Sequence, residues 1–232
     1  MVESSTYTIK AFTDISEAQI ITDVINECFV GEKSWSNERD FYKENRAELK
    51  IIEMVISSPI SEYFLLETEG KIIGCIKFSL YYKVFFIEYY ENHNLPTFFL
   101  DSLSILPDYQ SRGLGKFLMN FSVAYSNIIK KFCVGDCKLT DELIEMQKDF
   151  IMKYNYQLDL PNEKLVINNA NNINRTERLL LGVNIKRPEL IKFYNNLNFK
   201  QTEIKTNIYE FVNSPLQDTD FVIFDKDITV ID

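Results

Sequence analysis

The segment from Leu100 to Lys116, LDSLSILPDYQSRGLGK, limits what this chain can fold into more than any other. Its first part reads as a strand, its middle is the turn Gln110-Ser-Arg-Gly-Leu-Gly115, and apolar residues then recur at helical spacing. A strand that runs through glycines into a helix leaves free backbone N–H groups and a positive dipole end at the turn. That arrangement favours a phosphate or pyrophosphate. The chain has seven glycines, and placing two of them here points to an anionic ligand.

The helix after the turn carries Leu114, Phe117, Leu118, Phe121, Tyr125, Ile128, Ile129 and Phe132 on one face, which is the pattern of packing against a sheet. Upstream, residues 6–12 alternate as a first strand, and Ala18, Ile21, Val24, Ile25, Cys28 and Phe29 mark a helix after Ser16. A second helix is expected over 37–56. Strands 62–68 and 71–82 follow, joined by a hairpin turn at Glu69-Gly70. Residues 83–94 are aromatic and acidic and take no clear assignment. The strand before the glycine turn spans 97–106.

Residues 133–177 read as an insertion. It holds one amphipathic helix capped at Thr140, with Leu143, Met146, Phe150 and Tyr154 on a face, and then an asparagine-rich loop at 167–176. Arg178–Asn184 is a buried strand, Pro188 opens a short helix, and strands at 199–212 and 221–228 complete the chain. Mixed strands and crossover helices indicate an α/β fold, an α+β mixed sheet in one domain over 1–232 with that insertion.

A formal charge of −9 argues against a general nucleic-acid binder and suits a cationic substrate, although solubility alone accounts for it. The N-terminus lacks the pattern of a signal peptide, and charges interrupt every apolar run short of a membrane span. A cytoplasmic protein that binds neither membrane nor nucleic acid is the expectation. Cys28, Cys75, Cys133 and Cys137 form no disulfide framework, and with a lone histidine, His93, no metal site is expected.

The glycine turn fits neither a dinucleotide fingerprint, which wants G-x-G-x-x-G after a first strand, nor a P-loop, because Gly115-Lys116 is followed by Phe117 and the first glycine is missing. Gln110-x-x-Gly113-x-Gly115, preceded by a strand and Pro107-Asp108-Tyr109, instead resembles the acyl-CoA signature of the GCN5-related N-acetyltransferase (GNAT) superfamily. A second motif agrees. In PELIKFYNNLNF, residues 188–199, Tyr194, Leu197 and Phe199 stand in the family's register, with Asn198 at the usual glycine and Arg187 at a position where an asparagine often starts the helix.

The resemblance covers most of the chain outside the insertion. It implies a mostly antiparallel central sheet flanked by helices, plus the helical insertion, and acetyl-CoA as cosubstrate. It also implies a cradle for the CoA pyrophosphate at Gln110, Ser111, Arg112, Gly113, Leu114, Gly115 and Lys116. In the family the strand before the turn splays from its neighbour and pantetheine fills the gap, which implies backbone contacts from Leu103, Ser104 and Ile105; Asn184 is the residue near Arg187 that could serve there. Tyr194 is the family position for the acid that protonates sulfur, and packing beside Phe193 is its competing role.

For the base we favour Asp101. Period-two alternation sets it on one strand face with Phe99, Leu103 and Ile105, where desolvation would raise its pKa. A solvent-facing Asp101 bonded to backbone is the other reading. Glu88 and Glu91 are alternates, with Tyr89 and Tyr90 as walls of an acceptor cleft. The expected activity is acetyl transfer to a primary amine of a small molecule or peptide by direct attack in a ternary complex, since no cysteine lies in either motif to carry an acyl group. A non-catalytic acyl-CoA-binding sensor or scaffold of the same fold is the alternative. The insertion is expected to supply a lid, an acceptor wall or the contact of a homodimer.

Overall fold

The structure, a computed structural model, describes residues 7–35, 38–41, 45–58, 60–81, 97–134, 152–155, 178–207 and 220–228. Seven strands make one sheet: β1 (Thr8–Ala11), β2 (Ser61–Thr68), β3 (Lys71–Tyr81), β4 (Thr97–Ile105), β5 (Arg178–Asn184), β6 (Lys200–Asn207) and β7 (Asp220–Asp227). Their order is β1-β2-β3-β4-β5-β7-β6, antiparallel everywhere except the parallel β4–β5 pair. The β2–β3 hairpin closes as its sequence requires: Glu69 and Gly70 both take positive φ, 52° and 73°, which suits the right-handed twist of the two strands.

Helices cover both faces. Helix α1 (Ala18–Val30) and the short α2 (Leu49–Val55) lie on one side, where Ile21, Val24, Ile25, Cys28 and Ile52 pack over Tyr63, Leu65 and Cys75. Helix α3 (Leu114–Val134) and α4 (Pro188–Asn195) join the larger core on the other. There the periodic face of α3 buries Leu118, Phe121, Tyr125 and Ile129 almost completely. The rings of Phe64, Phe121 and Tyr125 meet at centroid distances of 4.7 to 5.9 Å, two of the pairs edge-on and one stacked. The Tyr125 hydroxyl donates to Glu62 on β2 at 2.5 Å, so the buried carboxylate has a strong donor. Removing a side chain such as Leu118 from this face should cost about 2–5 kcal/mol.

Two expectations need correction or restriction. The helix expected from residue 37 begins at Leu49, preceded by one 3-10 turn at Glu38–Asp40. The reason is tertiary: the Asn26 amide on α1 takes both backbone groups of Ala47, accepting its N–H at 2.8 Å and donating to its carbonyl at 3.0 Å. Ala47 is thereby held against α1, and the helix starts beyond it. Most of the expected insertion, including its helix cap and the asparagine-rich stretch, lies outside the described residues. Its Tyr154 is buried against Phe117 and Phe121, and Asn155 accepts the Ile9 N–H at 3.3 Å beside β1. No described helix is long and apolar enough to cross a membrane.

Candidate active site

Strands β4 and β5 pair only at Phe98–Leu179, Phe99–Leu180 and Leu100–Leu181. Both continue, to Ile105 and Asn184, but no pairing between them does. The sheet therefore opens in its middle. A cavity of about 400 Å³ occupies the opening and reaches the glycine turn, α4 and the loop after α1. Of the residues singled out from sequence, Asp101, Leu103, Ile105, Gln110, Ser111, Gly113, Leu114, Gly115, Lys116, Asn184 and Tyr194 all line it.

At one end stands the turn. The Gln110 side chain donates to the Ile105 carbonyl at 2.7 Å, tying the loop to the end of the strand. Ser111 and Gly113 adopt positive φ, 61° and 80°, which swings the chain into the helix. The first intrahelical bond runs from Phe117 N–H to the Gly113 carbonyl at 2.9 Å, so the amides of Leu114, Gly115 and Lys116 precede the helical ladder and face outward from its end. The two glycines differ in purpose. A Cβ at Gly113 would meet nothing within 4 Å but would sit on a left-handed backbone, whereas one at Gly115 would touch Phe193 at an ordinary 3.6 Å.

One expected contact, the Arg112 charge, is redirected, and Ser104 leaves only its backbone for the gap, the group expected to serve there. Arg112 folds back, donating to the Asp108 carbonyl at 2.8 Å with its guanidinium 5.2 Å from the Tyr109 ring centroid, and it does not line the cavity. Ser104 is buried on the α1 side of the sheet, opposite Cys75, where its hydroxyl donates to the Ser102 carbonyl at 3.0 Å. Only its backbone can serve the gap.

Tyr194 projects from α4 among Phe193, Phe199 and Phe224, at ring distances of 5.1, 6.2 and 6.0 Å. Burial, reinforced by the charges of Glu38 and Asp101, pushes its phenol well above its ordinary pKa, so it stays protonated at neutral pH. The end of α4 explains why asparagine serves at 198: its φ is 61°, and the turn lets Phe199 N–H reach the Tyr194 carbonyl at 3.1 Å.

Asp101 faces the cavity, but not in the state its sequence context predicts. Between Cys75–Ser104 and Lys77–Asp101 the ladder slips by one residue, and Ser102 takes a positive φ of 55°. This bulge breaks the alternation that would align Asp101 with Leu103 and Ile105. Ile105 instead joins the large core with Phe98 and Leu100, while Asp101 looks toward the α1 side with Lys77. Burial alone would raise its pKa. The Arg46 guanidinium at 3.1 Å, the Lys77 charge and the Ser102 hydroxyl at 3.0 Å outweigh burial and hold the carboxyl below its ordinary range. The expected elevation is thus reversed, because a cation 55 residues away in sequence supplies the counter-charge.

Sequence reasoning missed the groups that share this end of the cavity. Arg46 sits over the Phe29 ring at 5.5 Å, Glu38 is buried with only 4% exposure, and Trp35 stands 52% exposed with its ring edge-on to Phe193 at 6.5 Å. All five line the same cavity. Arg187, the departure at the head of α4, is buried and donates to the Trp35 carbonyl at 3.0 Å and to Glu189. It therefore fastens the loop after α1 to α4. Gly74 was also overlooked: a Cβ there would lie 2.5 Å from the Ser104 carbonyl, so β3 approaches the bulge only because the residue is glycine. Glu88, Tyr89, Tyr90 and Glu91 lie outside the described residues.

Comparison with known proteins agrees with this geometry. Residues 19–127 match the model of the acetyltransferase (GNAT) family. A search of curated proteins found no match to the sequence. Among solved structures, NAA60 of Arabidopsis thaliana in complex with a bisubstrate analogue aligns over 96% of this chain and 98% of its own, with a TM-score of 0.56 and 13% identity. The same protein in complex with acetyl-CoA gives 0.55, at 13% identity over 96% of this chain and 99% of its own. An N-acetyltransferase from Staphylococcus aureus Mu50 gives 0.53 at 11% identity, over 97% and 100%. At such identities the likeness establishes the GNAT fold, and the family match assigns residues 19–127 of it to a GNAT acetyltransferase domain.

Proposed function

We propose that this protein transfers the acetyl group of acetyl-CoA to a primary amine by direct attack in a ternary complex. The observation that carries the reading is the parting of β4 from β5 beyond Leu100 and Leu181, which opens a continuous cavity from the glycine turn to Tyr194 and Asp101. Amides of Leu114, Gly115 and Lys116 would take the pyrophosphate, with the Lys116 charge beside them. The open edge of residues 103–105 would hydrogen-bond the pantetheine amides as a neighbouring strand would. Structures of fold neighbours with acetyl-CoA bound, such as NAA60, support that choice of cosubstrate.

The chemistry then divides between two ends of the cavity. The ammonium first gives one proton to solvent water; the free amine nitrogen then bonds the thioester carbonyl carbon, the carbon–sulfur bond breaks, and the proton shed as the amide forms replaces the one delivered to sulfur. Tyr194, protonated and facing the cavity, donates toward sulfur as that bond breaks. Asp101, held ionised by Arg46, attracts and aligns the incoming ammonium; a carboxyl held this low is a poor proton acceptor, so positioning is its main contribution. Cys28 also lines the cavity, but burial, with the charge of Glu27, pushes its thiol up to about 12, unsuited to carrying an acyl group.

Initial rates measured over a grid of acetyl-CoA and amine concentrations test this reading. Intersecting reciprocal lines with release of CoA thiol are expected. Parallel lines would indicate an acyl-enzyme, and tight acetyl-CoA binding without thiol release from any amine would identify a binding module.

A further inference from the structure

Away from the turn the cavity is lined by two aromatic rings, Phe29 and Trp35, and by two carboxylates, Glu38 and Asp101, while Phe193 lies between Tyr194 and Gly115 of the turn. The indole of Trp35 is half-exposed, yet it is not loose. The buried Arg187 holds the Trp35 carbonyl from α4, and the ring meets Phe193 edge-on. A large apolar ring kept at a cavity wall by a buried ion on another element is a built surface for an apolar partner. Both carboxylates line the cavity with Tyr194, and their charges help push its phenol up, so negative charge gathers where the amine must arrive.

The arginines described at this end are already engaged. Arg46 is paired with Asp101 and stacked on Phe29, and Arg187 is paired with Glu189. A zwitterionic amino acid would have to displace one of these pairs to seat its carboxylate. A polyamine would bring several charges to the two carboxylates described here, one of them already paired with Arg46. Resting on the acetyl-transfer reading, we infer that the acceptor is a singly charged primary amine on a compact aromatic or similarly apolar body, its ammonium between Glu38 and Asp101 and its body against Trp35.

The test has two arms. Phenethylamine, ethylamine, spermidine and phenylalanine are titrated into the protein by calorimetry, and each is then assayed with acetyl-CoA for thiol release. Phenethylamine should bind and turn over at least roughly tenfold better in kcat/KM than the other three, the scale of one well-placed ring contact. Trp35→Ala, at an exposed position, should remove most of that advantage over ethylamine. Glu38→Gln should weaken phenethylamine binding roughly tenfold or more, as loss of a charged partner does, with acetyl-CoA affinity unchanged. Preference for spermidine or phenylalanine, or a Trp35→Ala variant that keeps the full preference, would overturn the inference while leaving acetyl transfer standing. Phenethylamine binding without any acetyl-CoA binding would instead uphold the amine site and refute acetyl transfer.

Discussion

The two ends of the cavity are built by different means. The turn end is local and made of backbone: Gln110, Ser111, Gly113 and the first amides of α3 lie within a few residues of one another, and their shape follows from φ values and a helix terminus. The Tyr194 end is assembled from side chains brought together over long separations, Arg46 to Asp101 across 55 residues and Arg187 to Trp35 across 152. Backbone geometry recognises a feature shared by every acyl-CoA, whereas side-chain chemistry selects one acceptor. The first is written in a motif; the second exists only in the folded chain.

The largest effect expected belongs to the Tyr194 end. Tyr194→Phe keeps the ring packing and removes the proton, so kcat should fall roughly 10²–10⁴-fold while the acetyl-CoA Kd stays the same. Equal losses in both quantities would make Tyr194 a packing residue. Next is Gly74→Ala, whose Cβ would strike the Ser104 carbonyl. A destabilisation of about 1–3 kcal/mol in urea unfolding, with a weaker acetyl-CoA complex, is expected because the bulge beside the gap must move.

A paired substitution sharpens the account of the turn. Gly113→Ala places a Cβ on a backbone with φ of 80° and should cost about 1–2 kcal/mol. Gly115→Ala, at ordinary contact distance from Phe193, should be neutral or gain up to about 1 kcal/mol from helix propensity. Equal losses at both would mean that crowding, not conformation, dictates these glycines.

Smaller than the loss at Gly113 is that of Arg46→Ala. Its partner Asp101 titrates below its unfolded range, so the pair stabilises the protein fully above about pH 4 and loses that contribution as pH falls through the depressed folded value. The variant should therefore be weaker by about 1 kcal/mol at pH 7 and nearly unchanged at strongly acidic pH. Because Asp101 then titrates higher, the acid limb of kcat/KM should move upward in pH. A stability loss independent of pH would place Arg46 in packing against Phe29 rather than in charge pairing.

What could be read from the sequence follows the same division. The glycine turn, the hairpin at Glu69-Gly70, the α3 periodicity and the register of Tyr194, Leu197 and Phe199 are local patterns with local physical causes. The start of α2 depends on Asn26 holding Ala47, the orientation of Asp101 on a bulge at Ser102, and its charge state on Arg46. Alternation assumes an unbroken ladder and cannot anticipate a bulge. Gly74 was the available signal, an unexplained glycine inside a strand. Arg187 shows that a departure from a motif can carry a structural task, here tying α4 to the loop after α1.

The most direct test of the central claim is calorimetric titration of acetyl-CoA into the folded protein beside a Ser111→Glu, Lys116→Glu variant. Both positions are exposed at the turn end of the cavity, so the fold should tolerate them while the added negative charge opposes a pyrophosphate. Saturable one-site binding by the wild type, weakened at least roughly tenfold in the variant, is the predicted result. Equal binding by both proteins would place the cosubstrate elsewhere, and no binding by the wild type would contradict the assignment of the gap between β4 and β5.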